Sequence, residues 1–576
     1  MPRILLPVLA AAAIIAAACG STTGDPAGPP PTTTGAATPT TTTPPAVPTT
    51  TTTTPARSAT TPPDAPTTTT STATSTTTAN APTPTTSTTA APPTTSTAVQ
   101  TPTTTDAAAG TESAGTPVEP ETDAGTPTVS PPEPAIEGVA AEGLGDSLYP
   151  LLGNAGYDVL HYSIVLDVDP AANAISARTS VTAQATQDMS AFNLDLSGLE
   201  VHDVTVDGIA AEFSRSGTEL TVRPALALVD GQEFSVGVSY SGTPEPIDDP
   251  GVPFTTLGWH SQGGAIYTIN QPSGAMTWYP SNNHPSDKAT FEFRITVPAT
   301  TTAAASGLLV DETTTDGRTT TTWRMDDPMA TYLAAVYIGD FERVEHGRLD
   351  PAGPLLRDYV PRDAAPDIGE ALAVTADAIG FLEELLGPYP FGAYGTIVVP
   401  VEFEFALENQ TLSIHGRHVL SPDIIAHEAA HQWLGNSVAL EDWGDIWLNE
   451  GFATYLHLMF DAEHHGMDFE LNMQQLHAQL PFFAATPPKG ISPGELFGPS
   501  VYFRGAMTLH ALHLLTGDEM FFAILGAHYD RSAGGTTNTE EFLGIVDEFA
   551  GPEAVNVVES WLYSETVPDL PEPRAG

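Results

Sequence analysis

The amino-acid sequence predicts an α+β protein of several domains, in which a β-sheet domain precedes a mainly helical domain. Short runs that alternate apolar and polar residues fill residues 147–345, and apolar residues at helical spacing dominate residues 346–566. The length of 576 residues leaves room for both domains and for additional segments. The boundary between the two domains is therefore predicted near residue 345.

The β-sheet prediction depends on a period of two. The run "YDVLHYSIVLDVDP" places Ile164, Leu166 and Val168 on one face of a strand. An Asp207-Gly208 pair is typical of a tight turn between strands. Further alternating runs follow at "GTELTVRP", "EFSVGVSY", "TFEFRITVP" and "TTTTWRM". Short strands at this spacing indicate a sheet domain.

The helical prediction begins with "PDIGEALAVTADAIGFLEELLGPYPF", which indicates one helix that ends at Gly387 and Pro388. A short buried strand, "GTIVVP", follows it. Helical patterns then dominate from Ser421 onward, and residues 567–576 form a proline-rich tail. Neither predicted domain contains an apolar run long enough to span a membrane.

The N-terminus is predicted to be a signal peptide over residues 1–19. Arg3 precedes an apolar segment, Ile4 to Ala18, which is too short to span a bilayer stably. It ends in "AAACGS", where Cys19 is the only cysteine of the chain. The segment resembles the lipobox of bacterial lipoproteins, although Ala16 stands where that motif usually has leucine. The resemblance implies lipidation of Cys19 and anchorage to the outer face of the cell membrane; the alternative is an ordinary secretory signal.

Residues 20–146 are predicted to be a disordered stalk. They consist mostly of Thr, Pro, Ala and Ser, as in "TTTTPPAVPTTTTTTPARSATTPP". Such a segment has too few large apolar side chains to offset the entropy lost when its backbone becomes ordered.

The charge composition excludes one class of partner. The chain carries 70 acidic and 18 basic residues, a net charge of −52, and nucleic-acid phosphates would repel it. A single cysteine allows no disulfide within the chain, so stability depends on apolar cores. Because of this charge, we expect no nucleic-acid partner. We also expect contact with the membrane through the lipid anchor only, and a monomeric protein.

The stretch "IIAHEAAHQWLGN" carries the principal candidate site. His427 and His431 are four residues apart on a predicted helix that starts after Ser421 and ends at Gly435, so their imidazoles share one face. Two imidazoles at this spacing can bind one Zn²⁺, and Glu428 lies beside them, within reach of a metal-bound water. The alternative is a chance arrangement on a core helix.

A third ligand follows in "DIWLNEGFATYLHLMF", where Glu450 begins a second predicted helix. Eighteen residues separate it from His431. At this point the sequence resembles the zinc aminopeptidases of the M1 type, with the pattern H-E-x-x-H-x18-E. The resemblance implies a saddle-like β-sandwich domain followed by a thermolysin-like catalytic domain. It also implies one zinc ion per chain, held by His427, His431 and Glu450, with Glu428 as the catalytic base.

Three further residues follow from the same resemblance. "FALEN" is similar to the family's G-x-M-E-N strand, so Glu408 would bind the substrate's free amine; Phe405 replaces the glycine and Leu407 the methionine. "SVYFRGAMTLHAL" resembles Y-x-[KR]-G, which makes Tyr502 the transition-state tyrosine. "TINQPSGAMTWYPSNNHPSDKA" resembles the segment with a second amine-binding residue, here Gln271.

The expected function is therefore a zinc aminopeptidase that acts on peptides with a free N-terminus at the cell surface. Larger members of the family add a helical domain over the cleft, so we expect here a two-domain form with a comparatively open site that tolerates longer peptides. Three alternatives remain open: a thermolysin-like endopeptidase, an epoxide-hydrolysing aminopeptidase, and a non-catalytic surface module with a structural zinc. The sequence does not identify the pocket for the N-terminal side chain, and only the acidic surface favours Lys or Arg.

Overall fold

The structure, a computed structural model, describes residues 143–364 and 367–574. The predicted signal peptide with Cys19, and the predicted stalk up to residue 142, lie outside the described residues. The last four stalk residues are an exception, because the carboxylate of Asp146 is buried and accepts hydrogen bonds from the backbone of Leu148 at 2.8 Å and Trp443 at 2.7 Å. Residues 143–146, which the prediction assigned to the stalk, therefore belong to the described fold. No helix within the described residues has the length and apolar character needed to cross a membrane.

The N-terminal domain of the described chain is rich in β-strands. In chain order these strands are β1 (Tyr157–Asp169), β2 (Ala174–Ala185), β3 (Phe192–Asp195), β4 (Glu200–Val206), β5 (Ile209–Ala210), β6 (Glu212–Ser216), β7 (Glu219–Arg223), β8 (Glu233–Gly242), β9 (Gly258–Gln262), β10 (Ala265–Ile269), β11 (Lys288–Pro298), β12 (Thr302–Ala305), β13 (Leu308–Thr315), β14 (Arg318–Ala330) and β15 (Val336–Gly339).

These strands form three sheets. The largest has eight strands in the order β13-β14-β11-β1-β2-β8-β4-β5, and β1 and β11 are parallel within it. A four-stranded sheet has the order β12-β15-β10-β9, and a three-stranded sheet the order β3-β7-β6. The alternation predicted for β1 is confirmed, since Ile164, Leu166 and Val168 are all fully buried. The predicted turn also forms, with φ of 52° at Asp207 and 75° at Gly208.

The second domain combines a sheet with a set of helices. Its strands are β16 (Phe341–Arg348), β17 (Leu355–Pro361), β18 (Ala393–Tyr394), β19 (Thr396–Val398), β20 (Ala406–Leu407), β21 (Ser413–His415), β22 (Ala439–Leu440) and β23 (Thr536–Thr537). Its helices are α1 (Asp367–Leu372), α2 (Thr375–Leu386), α3 (Pro422–Ala430), α4 (Trp447–His465), α5 (Phe469–Phe483), α6 (Gly505–Thr516), α7 (Asp518–Ser532), α8 (Thr539–Ala550) and α9 (Pro552–Tyr563). The predicted order of a β-rich domain before a helical domain is confirmed.

The second domain differs from the prediction in two respects. Strands β16-β17-β19-β21-β20 form a sheet, with β18 paired to β17, whereas the sequence indicated only the strand at "GTIVVP" and, through the resemblance, the one at "FALEN". The predicted boundary at residue 345 falls inside β16, which pairs with β17 of the second sheet. That sheet therefore begins at Phe341, because strand pairing and not local pattern decides where it starts.

Two helix predictions need correction. The single helix predicted before Gly387 consists of two helices, α1 and α2, and α2 does end at Gly387, where φ is 88°. The helix with the metal motif ends at Ala430, five residues before Gly435. Beyond Ala430 the chain continues through turns, in which the amide of Leu434 donates to the carbonyl of Ala430 at 3.2 Å. Gly435 has a φ of 133°, so it redirects the chain without ending the helix.

Lys288 at the start of β11 fixes the chain that follows α3. Its buried ammonium donates to the carbonyl oxygens of Asn436 at 3.0 Å, Ser437 at 2.6 Å and Gly535 at 3.1 Å. A lysine ammonium has three N–H donors, and each meets one acceptor here. The N-terminal domain therefore holds the segment behind the metal motif in place.

A close contact between two glycines sets the distance between α4 and α6. A Cβ atom on Gly451 would lie 2.9 Å from the backbone of Gly505, and a Cβ on Gly505 would lie 3.0 Å from Cα of Gly451. Gly451 follows Glu450 directly, and Gly505 lies three residues after Tyr502. The missing side chains therefore allow the two helices to bring these candidate site residues together.

We expect Gly451→Ala to lower the free energy of unfolding. Overpacking costs about 1–3 kcal/mol, which exceeds the gain of about 1 kcal/mol that alanine brings to a helix interior. Gly544→Ala in α8 is the matched control, because a Cβ atom at Gly544 would meet no other atom within 4 Å and only the propensity gain applies. Thermal unfolding should show a lower Tm for the first variant and an equal or higher Tm for the second. An equal change in Tm in the two variants would contradict the importance of the close contact between Gly451 and Gly505.

Candidate metal centre and active site

Helices α3 and α4 bring three potential metal ligands together. Nε2 of His427 lies 3.1 Å from Nε2 of His431 and 3.3 Å from Oε2 of Glu450, and the third side of the triangle is 3.4 Å. All three side chains are buried. Among the described residues, no other group of three His, Cys, Asp or Glu side chains is arranged to hold a metal ion.

The size of this triangle fits zinc. Ligand atoms that lie 2.0–2.1 Å from Zn²⁺ at tetrahedral angles are separated from each other by about 3.3 Å. The three measured separations, 3.1, 3.3 and 3.4 Å, are close to this value. Three protein ligands leave the fourth tetrahedral position open, which is the arrangement of catalytic rather than structural zinc sites.

Each imidazole has a second contact that orients it. Nδ1 of His431 lies 3.3 Å from the carbonyl oxygen of Leu434, so it donates there and leaves the lone pair of Nε2 for a metal. Nδ1 of His427 lies 3.0 Å from Nδ1 of His457, a buried residue of α4. His457 was not among the predicted site residues, although its position seven residues after Glu450 places it on the same helix face.

The electrostatics of the site favour a positive charge. Burial lowers the pKa of His431, but the carboxylates of Glu450, Glu408 and Glu428 outweigh it and raise that pKa to about 10. Burial raises the pKa of Glu450, yet the imidazoles of His431 and His427 lower it to about 2. A field that stabilises an imidazolium also stabilises a divalent cation, so the donor set fits zinc in charge as well as in geometry.

Glu428 lies beside the ligands and does not join them. It is buried, and its Oε2 atom has no hydrogen-bond partner in the described structure. Burial raises the pKa of this carboxyl well above its usual range. The side chain lines the same pocket as the three ligands. A carboxylate with a free oxygen and a raised pKa is suited to accept a proton from water.

Glu408 and Gln271 meet in the same pocket, although 137 residues separate them. The amide Nε2 of Gln271 donates to Oε1 of Glu408 at 2.9 Å. The chain after α3 fixes the backbone of Glu408, because Gln432 and Asn436 donate to its carbonyl oxygen at 2.9 and 2.7 Å. The structure therefore brings together the two residues that the resemblance placed at the amine.

Tyr502 also lines this pocket. Its ring lies parallel to that of His427, with centroids 6.1 Å apart. It belongs to a π-helical turn, Ser500–Arg504, which leads into α6. The buried guanidinium of Arg504 anchors the turn, since it donates to the carbonyl oxygens of Trp561 at 2.8 Å and Ala485 at 2.7 Å. Arg504 thus serves the structure and holds Tyr502 over the metal ligands.

Tyr332 is a second residue that the sequence analysis missed. Burial raises its pKa well above the usual value, and the carboxylates of Glu408 and Glu450 raise it further. The phenol therefore keeps its proton and donates a hydrogen bond to the carbonyl oxygen of Gly435 at 3.4 Å, close to the carboxylates of Glu408 and Glu450. No local pattern distinguishes Tyr332 from other tyrosines of the β-rich domain, so the sequence offered no signal.

Comparison with protein families identifies both domains. Residues 370–561 match the Peptidase family M1 domain, and residues 159–333 match the Peptidase M1 N-terminal domain. Together these ranges span more than half of the chain.

Comparison with individual proteins agrees with this result. An M1 zinc metallopeptidase from Deinococcus radiodurans is 34% identical, with a TM-score of 0.72, and the match covers 75% of this chain and 100% of that one. A mutant of the same protein has been solved with a Tyr-Ser-Ala substrate bound, with a TM-score of 0.71.

Two curated relatives match over about two thirds of their length. Leukotriene A-4 hydrolase of Xenopus laevis is 27% identical, with 67% of each chain covered, and leucine aminopeptidase 2 of Coccidioides immitis is 26% identical, with 66% of each covered. The chain thus spans about two thirds of the length of these relatives. The family matches, the two-domain likeness and the metal-binding triangle lead to one conclusion: this chain belongs to peptidase family M1.

Proposed function

We propose that this protein is a zinc-dependent aminopeptidase that removes the N-terminal residue from peptides. The observation that carries the proposal is the position of Glu408, a buried carboxylate in the same pocket as the metal ligands. A carboxylate at that place can bind a free ammonium while the next peptide bond lies at the metal centre. The structural neighbour that was solved with a tripeptide supports peptides as the substrate class.

His427, His431 and Glu450 would hold the zinc ion. A bound Zn²⁺ supplies Lewis-acid chemistry, which activates a water molecule and polarises the scissile carbonyl. Glu428 takes a proton from the attacking water through its unpaired oxygen and passes a proton to the departing amine. The raised pKa of Glu428 suits both steps, because the group must first accept a proton and then release it.

Tyr502 would stabilise the negative oxygen that develops when water attacks the carbonyl. Its ring is parallel to that of the metal ligand His427, which places the phenol at the same side of the pocket. A hydrogen bond that forms with the developing oxyanion lowers the barrier more than it stabilises the substrate. The anchored π-turn keeps the phenol in position before the substrate arrives.

Glu408 and Gln271 would set the point of cleavage. Gln271 donates its amide to one oxygen of Glu408, so the second oxygen of Glu408 and the amide oxygen of Gln271 remain for an ammonium. Strand β20 ends just before Glu408 and lies at the edge of its sheet, where it pairs only with β21 among the described strands. Its free edge can pair with the substrate backbone, which aligns the first peptide bond with the metal ligands.

The first test replaces the proposed base. We expect Glu428→Gln to lower kcat by about 10²–10⁴-fold, since the amide cannot accept the proton. Zinc content measured by mass spectrometry should stay at one ion per chain, because Glu428 is not a ligand. His431→Ala is the control that should lose both zinc and activity. Full activity in Glu428→Gln would refute the assignment of the base.

The second test separates an aminopeptidase from a thermolysin-like endopeptidase. Acetylation of the substrate amine removes the positive charge that Glu408 would bind, so N-acetyl-leucyl substrates should not be cleaved. Glu408→Gln should lower kcat/KM for the free-amine substrate about 10–100-fold, the size of a lost hydrogen bond between charged groups. Mass spectrometry of digests of an acetylated decapeptide is the measurement. Internal cleavage at an unchanged rate would favour the endopeptidase.

We also propose that Cys19 carries a lipid that tethers the enzyme to the cell surface. The sequence from Arg3 to Cys19 supports this proposal, and no described residue bears on it. After expression in a bacterium, the wild-type protein should partition into Triton X-114 and incorporate labelled palmitate, and Cys19→Ala should do neither. Ser21→Ala is the matched control and should behave as the wild type. Labelling that persists in Cys19→Ala would exclude this residue.

A further inference from the structure

The pocket of the metal centre continues beyond the amine-binding pair into a chamber between the two domains. Ile269 and Phe254 of the N-terminal domain form one wall, and Glu404 and Phe405 of the second domain form the other. The same four residues also line an outer groove, so the chamber is continuous with that groove. Glu404 and Phe405 immediately precede β20, which leads to Glu408.

Aromatic rings make the walls of this chamber. Phe254 and Phe405 face each other edge to face with centroids 5.9 Å apart, and Phe405 stacks on Phe403 at 4.4 Å. Phe405 is the residue that replaces the family's glycine. These two contacts hold the ring in the wall, and because Phe405 is only half-buried, part of its surface stays accessible to a ligand.

The loop that carries Phe254 is fixed from both ends. The backbones of Ile247 and Leu257 exchange two hydrogen bonds of 2.9 and 2.8 Å, which close the loop at its base. The hydroxyl of Tyr149 donates to Asp249 at 2.7 Å, and the hydroxyl of Ser273 donates to the same carboxylate. Phe254 therefore forms a preorganised wall of the chamber.

The chamber has a negative end. Glu404 is exposed there, and none of the described residues that line the pocket is a lysine or an arginine. Glu404 lies four positions before Glu408, so their Cα atoms lie at most about 14 Å apart. Glu408 thus lies at the inner part of the chamber and Glu404 farther out, with aromatic rings between them, and Asp423 of α3 also lines the pocket.

The N-terminal side chain of a substrate can enter this chamber. If Glu408 and Gln271 hold the amine, as the proposed function requires, the first side chain starts next to Ile269, two residues before Gln271. The buried side chains of His427, Glu428 and His431 line the opposite side of the pocket, and the pocket joins the outer groove past Phe405 and Glu404. Space for a long side chain therefore lies towards Phe405 and Glu404.

We propose that this chamber selects a long cationic side chain at the N-terminus of the substrate, arginine above lysine. The aliphatic part of such a side chain packs against the two phenylalanine rings, and its charge attracts both their π faces and the Glu404 carboxylate. Arginine binds better than lysine because its planar guanidinium both stacks on a ring and pairs with a carboxylate.

The test compares arginine with citrulline, which has the same shape and no charge. On aminoacyl-amide substrates, the wild-type enzyme should show a kcat/KM about tenfold higher for arginine than for citrulline, the size of one hydrogen bond between charged groups. In Glu404→Gln this ratio should fall towards one, and in Phe405→Leu, which keeps apolar volume, it should fall about threefold. Glu404→Asp should restore part of the preference.

Glu519→Gln is the matched control, because Glu519 is exposed on α7 and lines neither the catalytic pocket nor the outer groove. It should keep the wild-type ratio. Equal rates on arginine and citrulline with good cleavage of leucine amide would overturn this inference and leave the proposed function intact. No cleavage of any substrate by the zinc-loaded protein would overturn both. A preference that follows the second residue, seen with Ala-Arg against Arg-Ala peptides, would also overturn the inference.

Discussion

Charge balance in the metal pocket is the constraint on which the rest of the structure depends. Three buried carboxylates, Glu408, Glu428 and Glu450, converge there with two imidazoles. Buried charges are costly unless opposite charges pair with them. The raised pKa of His431 shows that these carboxylates favour a positive charge in the pocket, and a bound divalent ion would supply it.

A metal ion can bind in the pocket only if backbone packing holds the side chains of His427, His431 and Glu450 at the correct separation. The contact between Gly451 and Gly505 permits α4 and α6 to approach, while Arg504 ties the turn of Tyr502 to carbonyl groups near the end of the chain. On the other side, Lys288 secures the segment after α3. These residues touch no substrate, yet each limits the freedom of a site residue. Protein interiors transmit small displacements because they are closely packed, so even a methyl group at Gly451 is expected to disturb the site.

The sequence predicted the metal ligands because their geometry is largely local. His427 and His431 are one helical turn apart, and the fixed interval to Glu450 is a family signature. Alternation in β1 likewise identified its buried face. Partners distant in sequence were not predictable: the parallel pairing of β1 with β11, the contact of His457 with His427, and the sheet formed by short strands such as β18 and β20. A periodic pattern determines which face of an element is buried, but not which element covers that face. Gly435 resembled a helix stop because glycine often ends helices, yet α3 ends at Ala430 and turns lie between the two residues.

The specificity of such an enzyme arises from the packing of its two domains. The three metal ligands and Glu428 lie on α3 and α4 and in the turn that follows α3, so all four belong to the second domain. Glu408, by contrast, has a partner in the β-rich domain. Gln271 comes from the segment after β10, and its hydrogen bond to Glu408 crosses between the domains. Phe254 crosses the same boundary to reach Phe405. Both contacts place side chains of the β-rich domain at the pocket that holds the metal ligands. The packing of the two domains therefore shapes this pocket, although the metal ligands themselves come from the second domain alone.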